Sequence, residues 1–127
     1  MREKSSDSVK IHYLNIDTVL GELHQAAHAL KMSNLNVKRI VLFGSLASTQ
    51  YGPGSDADVL IVLQSDKRRA IDRIPELSFA FSSVSIPVEV FPLTERELER
   101  QLGEENLFWK RALETGVELG ETSTMKK

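Results

Sequence analysis

The 127-residue chain contains no cysteine. Disulfide scaffolds and cysteine-ligated zinc sites are therefore excluded, and thiols say nothing about the redox compartment. Aromatic residues are sparse at 6%, with a single tryptophan. An excess of either charge is also missing: 16 Lys and Arg oppose 18 Asp and Glu, for a formal charge of -2. A dedicated nucleic-acid binder carries a clear basic excess, so no direct nucleic-acid binding is expected. No apolar run approaches the roughly 18 residues needed to cross a bilayer. Residues 1–8, MREKSSDS, lack the apolar stretch of a secretory signal. The expectation is a soluble cytoplasmic protein with no membrane association.

Hydrophobic residues at 41% and charged residues at 27% match ordinary soluble usage. The length suits one domain, expected over residues 9–119 between flexible polar tails at 1–8 and 120–127. Ile16, Val19, Leu20, Leu23, Ala27 and Leu30 recur at spacings of three and four, which predicts an amphipathic helix. Asn15 or Asp17 can cap its start, and Ser33-Asn34 can end it. Residues 37–43 (VKRIVLF) and 58–63 (DVLIVL) read as strands buried on both faces. Between them, Gly52-Pro53-Gly54-Ser55 marks a turn.

Residues 67–84 are helical in pattern, although the alternation of Leu77, Phe79 and Phe81 leaves a strand open there. Pro75 must begin a second helix in this stretch or break the first. Residues 86–91 (IPVEVF) form a third strand, with Pro87 near its start. Thr94-Glu95-Arg96-Glu97 is a capping box opening a helix through about Leu102, and another spans 106–114 before Gly116. This order predicts an α/β or α+β fold: a small mixed sheet of three or more strands covered by helices.

Three features carry chemistry. Gly44-Ser45 directly follows a buried strand, where a glycine lets backbone approach a phosphate and the amides opening a following helix favour an anion. A plain turn fits the same pair. Ser55-Asp56-Ala57-Asp58 places two carboxylates on one strand face, roughly 6–7 Å apart along the chain. Such a pair repels unless a cation sits between, or else the two acids simply flank a turn. Glu89 is a lone acid inside the apolar Val88-Glu89-Val90-Phe91, on the face opposite Val88 and Val90.

Only ten residues separate Ser45 from Asp56, too few for a parallel crossover with its helix. Strands one and two are therefore expected to run antiparallel, bringing Gly44-Ser45 beside Asp56 and Asp58. Glu89 joins them if strand three pairs with strand two. Three carboxylates facing a phosphate-binding turn suit two-metal phosphoryl or nucleotidyl transfer.

Gly44-Ser45, the ten-residue spacer, Ser55-Asp56-Ala57-Asp58 and the later acid in Pro87-Val88-Glu89-Val90 together resemble the polymerase-beta-like nucleotidyltransferase superfamily. The size resembles its minimal nucleotidyltransferases, which are often paired with HEPN-domain proteins as toxin–antitoxin systems. The resemblance runs from about Val37 to Leu119. It implies a nucleotidyltransferase fold, with Asp56, Asp58 and Glu89 as catalytic metal ligands holding two Mg²⁺ ions. Gly44, Ser45 and Ser55 would bind the nucleotide. The reaction implied is transfer of a nucleoside monophosphate, usually AMP from ATP, to a hydroxyl, often a tyrosine of the HEPN partner. The length is expected to leave no room for an acceptor-binding domain, so a partner protein or small molecule must present the acceptor.

Two departures stand out. Many minimal members carry Arg-Gly where this chain has Ser48 and Thr49, and the third acid is Glu rather than the commoner Asp. A degenerate module that neutralises its partner by occlusion is the competing expectation.

Other features have plainer readings. His24 and His28 share the spacing of zinc ligands, but Gln25 removes the general base of a metalloprotease helix, and solvated positions account for them. Lys67, Arg68, Arg69 and Arg73 read as a solvated helix start, or as a contact for an acidic partner or the nucleotide. Leu107, Phe108, Trp109, Ala112 and Leu113 predict core packing, with a homo-oligomer or partner interface as the alternative.

Overall fold

Two runs of branched apolar residues build the centre of the molecule. In the computed structural model, which describes residues 15–48, 51–52 and 54–121, they form β1 (Val37–Phe43) and β2 (Ala57–Leu63). The two strands pair antiparallel, with Phe43 opposite Asp58. β3 (Val88–Thr94) lies parallel to β2, and the short β4 (Val117–Glu118) lies antiparallel to β1. The sheet order is β3-β2-β1-β4. Both faces of the central strands are covered, which is why their sequences carry no polar alternation.

Helix α1 (Ile16–Ser33) begins at Asn15, whose side chain accepts the Thr18 amide at 3.2 Å, and it buries Val19, Leu23, Ala27 and Leu30. These side chains join Ile40, Leu42, Val59, Ile61 and Val90 on one face of the sheet, together with Leu77 of α2 (Ala70–Phe79). The opposite face holds Val41, Phe43, Leu60 and Val62. It is covered by Leu98 of α3 (Glu95–Gly103) and by Trp109 and Ala112 of α4 (Leu107–Thr115). The fold is thus α+β, a four-stranded mixed sheet between two helical layers.

The capping box forms as expected: Glu97 donates its amide to the Thr94 hydroxyl at 3.1 Å, and the Thr94 amide donates to Glu97 Oε1 at 2.9 Å. Residues 67–84 do contain a helix, but Pro75 neither begins nor breaks it. Proline removes the bond to the carbonyl four residues earlier, here that of Ile71, a residue exposed enough for water to replace the lost donor. β3 also runs three residues past Phe91, through Pro92. The Pro92 carbonyl accepts from Arg73 Nη1 at 3.1 Å, so this residue's polar groups point away from β2, where a missing N–H breaks no ladder bond.

Arg73 departs most from expectation. Its side chain is 1% exposed rather than solvated. It donates to the carbonyls of Asp66, Arg68 and Pro92, and it forks onto both Glu97 oxygens at 2.7 and 3.0 Å. One guanidinium therefore ties the segment after β2, helix α2, strand β3 and the start of α3 together.

His24 is half-buried, and its Nδ1 accepts the Gly120 amide at 3.3 Å. Beside it, Lys31 pairs with Glu121 at 2.8 Å. Gly120 and Glu121, placed by the sequence in the C-terminal tail, are therefore held against α1 because the fully buried Leu119 anchors the chain just before them. The expected tail at 1–8, and residues 122–127 of the other, lie outside the described residues. Among the described residues, no helix is long and apolar enough to cross a membrane.

Arg73→Met is expected to destabilise the fold by about 3 kcal/mol in urea denaturation, because buried carbonyls and Glu97 lose their donor together. The hydrogen bond from Arg73 is the main reason the Glu97 carboxyl is held down to about 2, below its ordinary 4.5. A lowered carboxylate stabilises the folded state fully above pH 4.5, and that contribution is lost as the pH falls toward 2. The wild-type melting temperature should therefore drop across that window. Arg73→Met should show a smaller drop, the remainder belonging to Asp66, which Arg68 also holds near 2.

Candidate active site

β1 ends at Phe43, and the chain must turn at once because the neighbouring β2 begins there. Gly44 makes the turn with φ +82, a conformation that side chains rarely adopt. Space is as restrictive as angle. A Cβ at Gly44 would lie 2.7 Å from Asp58 Oδ2, so only glycine lets the backbone approach that carboxylate.

A single 3₁₀ turn, Ser45–Ala47, follows, between the helix and the plain turn that the sequence left open. Any anion held here would therefore rely on local amides and hydroxyls rather than on a helix dipole. The Ser45 hydroxyl donates to Ser55 Oγ at 3.4 Å, and Ser55 Oγ accepts the Gly52 amide at 2.8 Å. These bonds draw the turn after β1 to the segment entering β2. Ser48 Oγ donates back to the Ser45 carbonyl at 3.1 Å, while Thr49 lies outside the described residues.

The parallel register sets Asp58 directly opposite Glu89. Period two along each strand puts Asp58 on the face of Leu60 and Val62, and Glu89 on the face of Phe91 and Leu93. That is the α3–α4 side of the sheet. Asp56 precedes β2 and is exposed, as is Glu89, while Asp58 is half-buried. Burial pushes the Asp58 carboxyl up from its ordinary value, and the nearby charges of Glu89 and Asp56 push it further. All six residues singled out in the sequence, Gly44, Ser45, Ser55, Asp56, Asp58 and Glu89, lie around one end of the sheet.

The chain matches the nucleotidyltransferase domain family over residues 23–117. It belongs to that family. The matched region runs from within α1 to the first residue of β4. In the solved structures, a candidate nucleotidyltransferase from Sulfolobus solfataricus shares the fold, with a TM-score of 0.53 at 22% identity. The alignment covers 81% of this chain and 83% of that one. No curated protein matches the sequence.

For a nucleotidyltransferase domain, the donor set around Asp58 has a clear chemical character. It is made of hard carboxylate oxygens whose mutual repulsion a divalent cation relieves. Among the described residues, no three His, Asp or Glu side chains form a ready-made cage. Mg²⁺ asks for no such cage: it keeps several waters and is commonly held by one or two carboxylates together with substrate phosphates. The residues present fit that ion.

Two substitutions test this arrangement. Gly44→Ala should cost about 1–2 kcal/mol in urea denaturation, because it forces a strained φ and crowds Asp58. Asp58→Asn should raise the melting temperature in metal-free buffer at pH 7 by about 2–4 °C, since it removes the carboxylate that its neighbours repel. Asp58→Glu, which keeps the charge, should give no such gain.

Proposed function

We propose that this nucleotidyltransferase moves a nucleoside monophosphate, AMP from ATP, onto a hydroxyl acceptor. The observation that carries this reading is the register pairing of Asp58 with Glu89 beside a glycine whose positive φ and close approach to Asp58 disfavour any side chain. Asp56, Asp58 and Glu89 would be the ligands of Mg²⁺, two ions in the working complex. When bound, the metal would supply charge neutralisation on the phosphates and a lowered acceptor pKa.

The other roles fall to the chain itself. Gly44 allows the triphosphate to lie against the backbone, and the Ser45 and Ser55 hydroxyls face the same turn as donors for phosphate oxygens. Glu89, opposite Asp58, is placed to help activate the acceptor hydroxyl. The acceptor oxygen bonds to the α-phosphorus, the bond from that phosphorus to the pyrophosphate oxygen breaks, and the acceptor proton passes to a base or to solvent. Asp56, exposed at the strand entry, keeps the site open to an acceptor presented from outside.

The acceptor we favour is a hydroxyl on a HEPN-type partner protein. The resemblance to minimal nucleotidyltransferases suggests it. One observation favours a second reading. Ser48, where many minimal members have arginine, turns its hydroxyl back onto the Ser45 carbonyl. A domain with that cation missing could act as an antitoxin that occludes its partner without catalysis.

Calorimetric titration of ATP with and without Mg²⁺ separates the readings. The wild type should bind in the micromolar-to-millimolar range with metal, and Asp56→Ala/Asp58→Ala should not. ATP labelled at the α-phosphate should then transfer its label to a HEPN-domain protein. Binding without transfer would favour the occluding module, and no binding by the wild type would overturn the enzymatic reading.

A further inference from the structure

Beside Gly44, between the end of β1 and helix α4, lies a pocket of about 430 Å³. Phe43, Leu107, Phe108 and Ala112 give it an apolar lining, and Arg111 is its charged residue. The volume falls within the range of small-molecule sites. Gly44 is common to this pocket and to the carboxylate site, so a ligand seated on the turn reaches both.

We propose that this pocket is the subsite for the nucleoside of the donor, with Phe108 covering the base and Arg111 holding the triphosphate tail. The assignment rests on the nucleotidyl-transfer reading and adds the residues that grip the donor.

Three observations argue for it. The first is charge. Asp56, Asp58 and Glu89 make the surroundings of the turn acidic, and a polyanionic donor needs a cation beside them. Among the described residues, the Arg111 side chain makes no hydrogen bond or ion pair, and it lines the pocket that Gly44 opens. It can therefore supply the guanidinium that Ser48 does not.

The second observation is a rigid, uncovered aromatic. Phe108 is 57% exposed, yet it is held edge-on by Trp109 at 4.8 Å and by Phe43 at 5.7 Å. A fixed exposed ring beside a phosphate turn offers a flat surface to a base at little cost in side-chain entropy. The third is helical spacing: Leu107, Phe108, Arg111 and Thr115 recur along one face of α4 and line the pocket.

The test compares ATP with inorganic tripolyphosphate, both titrated calorimetrically in Mg²⁺ against the full chain. Phe108→Ala should weaken ATP about tenfold and leave tripolyphosphate unchanged, since only ATP carries a base. Arg111→Gln should weaken both about tenfold. Both side chains are exposed, so the variants should fold. The emission of Trp109, the single tryptophan, should shift with ATP and not with tripolyphosphate.

Wild-type ATP affinity in both variants, alongside a defect in Asp56→Ala/Asp58→Ala, would overturn the pocket and leave nucleotidyl transfer standing. Loss in one variant alone keeps that side chain's role and overturns the other's. Failure of the wild type to bind ATP would overturn the pocket and the functional reading together.

Discussion

The buried guanidinium of Arg73 is the interaction on which the arrangement depends. A charge this deep is tolerable only when its donors are satisfied, and three carbonyls and one carboxylate satisfy them. Those acceptors come from the segment after β2, from β3 and from the start of α3. Arg73 thus fixes where β3 lies against β2, and with it the residue that stands opposite Asp58. The helix carrying Arg73 is also the crossover that makes β2 and β3 parallel. Site geometry is therefore set at the distal end of β3, several residues from the chemistry.

The near end of the sheet is built on the opposite electrostatic principle. Asp58 is partly desolvated beside two further carboxylates, and among the described residues no cation pairs with it. At Arg73 the chain satisfies a charge internally. At Asp58 it leaves that work to whatever binds. The contrast gives one domain a rigid frame at one end of its sheet and uncompensated carboxylates at the other.

Much of this was legible because it is local. The apolar runs of β1 and β2, the Asn15 cap, the Thr94–Glu97 capping box and the Gly44-Ser45 turn each rest on neighbours within a few residues. The antiparallel β1–β2 pairing followed from a spacer too short for a crossover. What escaped depends on distant partners. Arg73 read as part of a solvated basic cluster because its carboxylate partner lies 24 residues further on. His24 read as solvated because the amide it accepts comes from Gly120. Pro75 read as the start of a second helix or a break in the first because sequence does not reveal which side of an element faces outward. Arg111 carried no signal beyond its spacing from Phe108, and only the packing of α4 against β1 gave that spacing a use.

Pro92 has one more effect. β3 is the outer strand on its side of the sheet, a place where a second chain can add a strand and begin aggregation. A proline whose missing N–H points outward takes one bond from any such addition, and the Arg73 guanidinium already occupies the carbonyl beside it. The edge is blunted midway along its length. A protein that must keep one end of its sheet open to ligands thereby avoids offering this flank to copies of itself.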